Sequence, residues 1–93
     1  MIKHIVMYTL KEGVEKTEAV AMIRSVLLPL VGQIPGLTKM EVCQAYQGMD
    51  YVLYSEFSSR EALQDYQKHP LHLQAKAHFG HLLDQRISAD YEV

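Results

Sequence analysis

The apolar and polar positions of this chain form short stretches with a two-residue period and longer stretches with a helical period. Residues 2–10 are rich in β-branched and aromatic side chains, which predicts a strand. Both faces are largely apolar, whereas a strand with one wet face would alternate cleanly. We therefore expect helices on one face and another layer on the second. The faces are Ile2, His4, Val6, Tyr8 and Leu10, and Lys3, Ile5, Met7 and Thr9.

Residues 17–34 carry apolar side chains three and four positions apart, which is the spacing of one helical face. Thr17 is a suitable N-cap, with Glu18 in the first turn where the helix dipole favours a carboxylate. Pro29 removes a helical hydrogen bond, so we expect a kink or tightened turns near Leu28 and an end by Gly32. The apolar face consists of Val20, Ile23, Leu27, Leu30 or Val31, and Ile34.

Two strands and a second helix follow this first helix. Residues 37–46 and 51–57 have strand composition, and the short glycine-containing link between them suits an antiparallel hairpin. Either Ser58 or Ser59 can cap the next helix. The apolar stripe of that helix consists of Ala62, Leu63 and Tyr66.

The last third of the chain predicts one more helix and one more strand. Pro70 fits the first turn of a helix, where its missing N–H costs nothing, and Gly80 would end that helix. Residues 82–93 return to a weak strand pattern. The order β-α-β-β-α-α-β predicts one α+β domain over residues 1–93. Its ferredoxin-like plan is a four-stranded antiparallel sheet with helices on one face.

The face of the sheet without helices needs a cover of its own. Its apolar side chains would be Ile5, Met7, Val52 and Tyr54. A second copy of the same sheet would bury them, so we expect a two-fold homodimer through this face.

Composition narrows the classes of partner and the compartment. Of the 93 residues, 48% are hydrophobic and 22% charged, and the net charge is −2 without a Lys/Arg cluster, so we expect no nucleic-acid partner. Cys43 is the single cysteine, cannot form an internal disulfide, and is expected as a small core residue on an inner strand. A reducing compartment fits best. The N-terminal apolar run is too short and polar for a signal peptide or membrane span, which favours a cytoplasmic protein.

Several stretches of the chain resemble the stress-responsive A/B barrel (Dabb) domain family. They are KHIVMYTLKEG at the start, IPGL in the middle, YVLYSEFSSREALQDYQKHPLH, and DYEV at the end. The resemblance covers nearly the whole chain. It implies a dimeric α+β barrel of two ferredoxin-like subunits packed sheet against sheet, and in some members larger rings of dimers. Plant members are linked to stress tolerance.

One branch of that family consists of polyketide cyclases, which close a poly-β-keto thioester by aldol condensation without a cofactor. The resemblance implies His4, Tyr66 and His72 as the matching functional residues. His4 shares a strand face with Val6 and Tyr8, so a pocket beneath the helices would bring all five together. We favour His72 as general base, Tyr66 as oxyanion donor and His4 as ligand orienter, although the two histidines could exchange roles. The ligand would be a small apolar or carbonyl-bearing molecule.

A packing interpretation of the same residues stays open. His4 could be hydrogen-bonded to backbone, Tyr66 could be a core aromatic residue, and His72 could tie a helix start to the sheet. The protein would then be a non-catalytic, structural or stress-response dimer.

The remaining histidines do not predict a zinc site. His69 and His72, and again His78 and His81, have the spacing of helix neighbours. The six residues between His72 and His78 correspond to about 600° of helical turn, which places the two pairs on different faces.

A hard cation is the other metal to consider. The family resemblance implies a backbone-carbonyl site for structural magnesium or sodium at Val31, Ile34 and Leu37. Water, or capping by Gly32 and Gly36, would satisfy the same helix end without an ion.

Overall fold

The chain folds into one antiparallel sheet with three helices on one face in the computed structural model, which describes residues 1–93. The strand order is β2-β3-β1-β4. The predicted ferredoxin-like α+β fold is therefore confirmed. The elements are β1 (Ile2–Leu10), α1 (Lys16–Leu27), β2 (Leu37–Gln44), β3 (Tyr51–Phe57), α2 (Arg60–Lys68), α3 (Pro70–Ala77) and β4 (Leu83–Glu92). No helix is long and apolar enough to cross a bilayer.

Strand β1 lies in the middle of the sheet, between β3 and β4, and this position explains its two apolar faces. Its even-numbered residues are buried against the helices, while its odd-numbered residues are half-buried on the face that no helix covers. We call these the inner and outer faces of the sheet. The inner face supplies Ile2, Val6, Tyr8 and Leu10 to one core of 20 buried hydrophobic residues.

Helix α1 ends just before Pro29, but its first residue differs from the predicted one. It ends at Leu27, and a short 3-10 turn over Leu28–Leu30 takes up the proline. The prediction of Thr17 as N-cap is wrong. The Glu15 carboxylate is the cap and accepts the Glu18 N–H at 2.6 Å, because the helix begins one residue before Thr17.

The prediction that Cys43 is a core residue on an inner strand is also wrong. Strand β2 is an edge strand, and Cys43 is exposed. Because Met40 and Val42 are buried in the core, strand alternation places Cys43 on the outer face, opposite Val52 of β3.

The junction of α2 and α3 sets the direction of the site residues. The Ser59 hydroxyl caps α2 by accepting the Ala62 N–H at 3.1 Å. His69 ends α2 and also caps α3, where its Nδ1 accepts the Leu71 N–H at 3.1 Å. Helix α3 stops at Ala77, three residues before the predicted end, since a separate 3-10 turn begins at Gly80.

Candidate functional site

A cavity of about 220 Å³ lies between the inner face of the sheet and helices α2 and α3. The structure brings all five predicted site residues to its wall. They are His4, Val6, Tyr8, Tyr66 and His72. Their location in one cavity agrees with the convergence expected from the sequence, while their chemical roles stay predictions.

His4 is held by a partner that the sequence reasoning did not assign. It is 4% exposed on the inner face of β1 and lies in register with Asp90 of β4. The Asp90 carboxylate is bonded to His4 Nδ1, and the Asp90 side chain is 47% exposed. A carboxylate accepts hydrogen bonds, so it favours the proton on Nδ1 and leaves Nε2 as the acceptor. In the sequence, the feature that could have indicated this partner is the Asp90-Tyr91 pair near the end of the last predicted strand.

Tyr66 and His72 are stacked on each other although a helix break separates them. Their ring centroids are 4.1 Å apart with 24° between the planes, and Phe57 packs against Tyr66 at 5.1 Å. The Tyr66 hydroxyl and His72 Nδ1 are both buried without a hydrogen-bond partner. Buried polar atoms in folded proteins are nearly always paired, so two unpaired atoms beside one cavity indicate a place for a ligand or water.

Burial determines the protonation states of His72 and Tyr66 at this cavity. It lowers the pKa of His72, and the positive charge of Lys76 lowers that pKa further, against the smaller opposing effect of the Tyr66 and Gln67 carbonyls. Burial also raises the pKa of the Tyr66 hydroxyl. At neutral pH the cavity therefore offers a neutral imidazole that can accept a proton and a phenol that can donate a hydrogen bond.

A larger and more open groove of about 460 Å³ runs between α2 and β4. Asp90 and Glu92 of β4 line it, and Gln67 lines both the groove and the smaller cavity. The groove contains none of the five predicted site residues. The groove is lined by one tyrosine, Tyr91, and by no histidine, whereas two histidines and two tyrosines line the smaller cavity.

The possible metal ligands are acidic, histidine or cysteine side chains and the backbone carbonyls of the turn before β2. No group of three or more His, Cys, Asp and Glu side chains is placed to hold an ion. At the predicted carbonyl site, the Ile34 carbonyl already accepts the Leu37 N–H at 3.2 Å. This bond uses one of the two lone pairs of the oxygen, so capping of the turn competes with an ion at Val31, Ile34 and Leu37.

The fold defines an α+β protein of the ferredoxin-like class, and the cavity lies between its sheet and its helices. Residues 2–93 match the family model of the stress responsive A/B barrel domain, Dabb. The chain therefore belongs to that family. It is 27% identical over 96 residues to the stress-response A/B barrel domain-containing protein HS1 of Arabidopsis thaliana, across 98% of this chain and 88% of that protein.

Solved structures with this architecture include proteins from two bacteria. A dimeric protein of unknown function and ferredoxin-like fold from Bacteroides fragilis is 26% identical, with a TM-score of 0.88 over 99% of this chain and 95% of that chain. A dimeric ferredoxin-like protein of unknown function from Jannaschia sp. is 22% identical, with a TM-score of 0.82 over 99% and 98%. The second likeness shows the fold alone.

Proposed function

We propose that this protein is a homodimer in which each subunit binds a small apolar or carbonyl-bearing molecule in the cavity beside His4. The observation that carries the binding proposal is that two of the three unpaired buried side-chain atoms, the Tyr66 hydroxyl and His72 Nδ1, belong to residues that line this cavity. A carbonyl oxygen can accept from the phenol, and the apolar wall accommodates the rest of the ligand. The cavity, at about 220 Å³, is below the range of roughly 300–1,000 Å³ that drug-sized ligands occupy, which favours a compact molecule.

The outer face of the sheet supports the dimer. Ile87 and Tyr91 of β4 are 56% and 45% exposed there, beside the half-buried Ile5 and Met7 of β1. Contiguous exposed apolar surface on a small domain favours association, and the solved relatives from Bacteroides fragilis and Jannaschia are described as dimeric. A single cysteine, which cannot form an internal disulfide, suits a reducing compartment and supports a cytoplasmic location.

The chemistry that fits the three polar residues is proton abstraction next to a carbonyl, as in an aldol-type cyclase or an isomerase. Neutral His72 would take the proton from carbon, and the electron pair would move onto the carbonyl oxygen. The Tyr66 O–H would donate to that enolate oxygen. His4, oriented by Asp90, would hold the ligand or return the proton. This step needs no cofactor. A cation at the Val31, Ile34 and Leu37 carbonyls would be structural.

Hydrogen–deuterium exchange of a simple β-keto ester tests the chemical part. Ethyl acetoacetate in D2O loses the proton signal of the carbon between its carbonyls at a rate that NMR measures directly. We expect the protein to accelerate this loss above free imidazole at equal histidine concentration. His72→Ala and Tyr66→Phe should each lower the protein-dependent rate by about 10²-fold or more, the usual contribution of a positioned acid or base.

Two exposed residues of the same types provide controls. His78→Ala and Tyr46→Phe change side chains at the surface, outside the cavity, and should leave the rate unchanged. Equal rates for the wild type and the His72→Ala variant would remove the enzyme proposal. The exchange assay tests only the chemistry, so such a result would leave the ligand-binding part of the proposal standing.

A non-catalytic structural or stress-response dimer is the second candidate function. The favouring observations are the Tyr66–His72 stack and the bond from His4 to Asp90, both of which also serve packing. Under this alternative, Tyr66→Phe and His72→Ala would lower only the thermal stability. The Arabidopsis relative carries a stress-response description, which agrees with either candidate.

A further inference from the structure

The lining of the cavity beside His4 contains two exposed cations, which mark its mouth, and no carboxylate. The Asp90 carboxylate lies outside this lining and is bonded to His4. Lys76 lies one helical turn after His72 on α3, so both side chains project from the same side of that helix. Arg86 of β4 is in register with Tyr8, which places it on the inner face of the sheet. No Asp or Glu lines the cavity, although the whole chain has a net charge of −2.

Neither cation is paired with a carboxylate in the structure. The ion pairs of the chain involve His4, Lys16, Lys39 and Arg60. Arg86 makes one side-chain hydrogen bond, from Nη1 to the Ser88 hydroxyl at 3.1 Å. Both cations are exposed at the cavity wall, and a sheet-to-sheet dimer through the outer face would leave them accessible. Two unpaired cations at the mouth of a cavity raise the local concentration of anions.

We infer that the ligand of this cavity carries an anionic group of the carboxylate class, which Lys76 and Arg86 hold at the mouth. The inference rests on the proposed pocket function and adds the charge of the ligand to it. The apolar part of the molecule would lie against Val6, Leu53 and Phe79. A planar guanidinium can bind a carboxylate with two parallel hydrogen bonds, and the lysine adds a point charge.

Two probes of the same shape and different charge test the inference. We would titrate 3-phenylpropanoate and 3-phenylpropanamide into ¹⁵N-labelled protein and follow the amide shifts by NMR. The carboxylate should bind about tenfold more tightly than the amide, and its affinity should fall as salt is added. The shifted amides should belong to α3, β1 and β4 around the cavity.

Charge-removing variants identify the groups responsible. Lys76→Gln and Arg86→Gln should each reduce the preference for the carboxylate, while affinity for the amide stays the same. Lys68→Gln is the matched control, because this exposed lysine on α2 lines neither cavity and forms no ion pair. It should leave both affinities unchanged.

The outcomes separate this inference from the function on which it rests. Equal binding of the two probes, or a carboxylate preference that survives both variants, would overturn the anionic ligand and leave the pocket function intact. If neither probe shifts the cavity amides at millimolar concentration, the pocket function fails for ligands of this size and the inference fails with it.

Discussion

His4 and Asp90 face each other across neighbouring strands, and this pair determines what the buried imidazole can do. The carboxylate holds the ring in one orientation and favours the proton on Nδ1. Histidine–carboxylate pairs in hydrolases use the same arrangement to keep the other nitrogen available. Under the proposed function, Asp90 would therefore be a positioning residue that acts through His4.

The tautomer of His4 is the property that Asp90 controls. In the wild type, ¹⁵N ring shifts should show the proton on Nδ1. Asp90→Asn should weaken this preference, because an amide can either donate to the ring nitrogen or accept from it. Asp84→Asn, an exposed carboxylate at the start of the same strand, should have no effect. A wild-type ring protonated on Nε2 would contradict the assigned role.

The buried position of His72 makes stability depend on pH. Its folded pKa lies below the ordinary value of 6.5, so between these two values the unfolded chain binds more protons than the folded chain. The stability that neutral His72 contributes to the fold is fully present above pH 6.5, and it is lost as the pH falls through the lower pKa of the folded state. The free energy of unfolding, measured with urea, should therefore decrease from pH 7.5 to pH 5.

Two variants test whether His72 causes this decrease in the free energy of unfolding. His72→Gln should flatten the pH dependence, whereas His78→Gln, at an exposed site, should retain it. Asp50 also has a lowered pKa, caused first by its bond to Lys16, but its contribution is lost only below its ordinary value of 3.8. An unchanged slope in the His72 variant would show that burial does not govern that pKa.

The sequence was enough to predict which side chains share the cavity, but it did not predict the hydrogen bond that holds His4. Strand parity placed His4, Val6 and Tyr8 on one face, and the break at Pro70 allowed Tyr66 to approach His72. The bond to Asp90 depends on the register between the first and last strands, which are 86 positions apart at this pair. A single sequence with a weakly alternating last strand does not specify that register.

Helix α2 depends on a close approach by the turn before β2. Gly36 has φ +84°, and a Cβ there would collide with the Ala62 side chain. Gly36→Ala should therefore destabilise the fold by about 1–3 kcal/mol for the backbone conformation, plus a similar amount for overpacking. Gly13→Ala is the matched control, since Gly13 has φ +87° and nothing within 4 Å of its Cβ position. Equal unfolding free energies for the two variants would rule out the steric contribution.

Element types were predictable where periodicity was strong, and element ends were less so. Pro29 marked the end of α1, because a proline removes a helical hydrogen bond wherever it falls. The start of α1 was missed because Glu15 competes with Thr17 as a cap, and both can accept an N–H. Cys43 was misplaced because its exposure depends on β2 being an edge strand, which is a property of the sheet order.

The proposed homodimer forms through the outer face of the sheet. Ile87→Glu places a charge in the apolar patch and should convert the dimer to a monomer in sedimentation experiments. Ser88→Glu is the adjacent control, because strand alternation directs it to the inner face, opposite Val6. A wild-type monomer at micromolar concentration, or a dimer that tolerates Ile87→Glu, would contradict the proposed interface.

A small molecule should occupy the cavity formed by His4, Tyr66 and His72, and native mass spectrometry of the purified protein would detect it. We predict a dimer of two 10.7 kDa chains that carries one small organic adduct per subunit. Tyr66→Phe and His72→Ala should lose the adduct and keep the dimer. An empty wild-type dimer with the same spectrum as both variants would contradict ligand binding in this cavity and leave packing as the role of these residues.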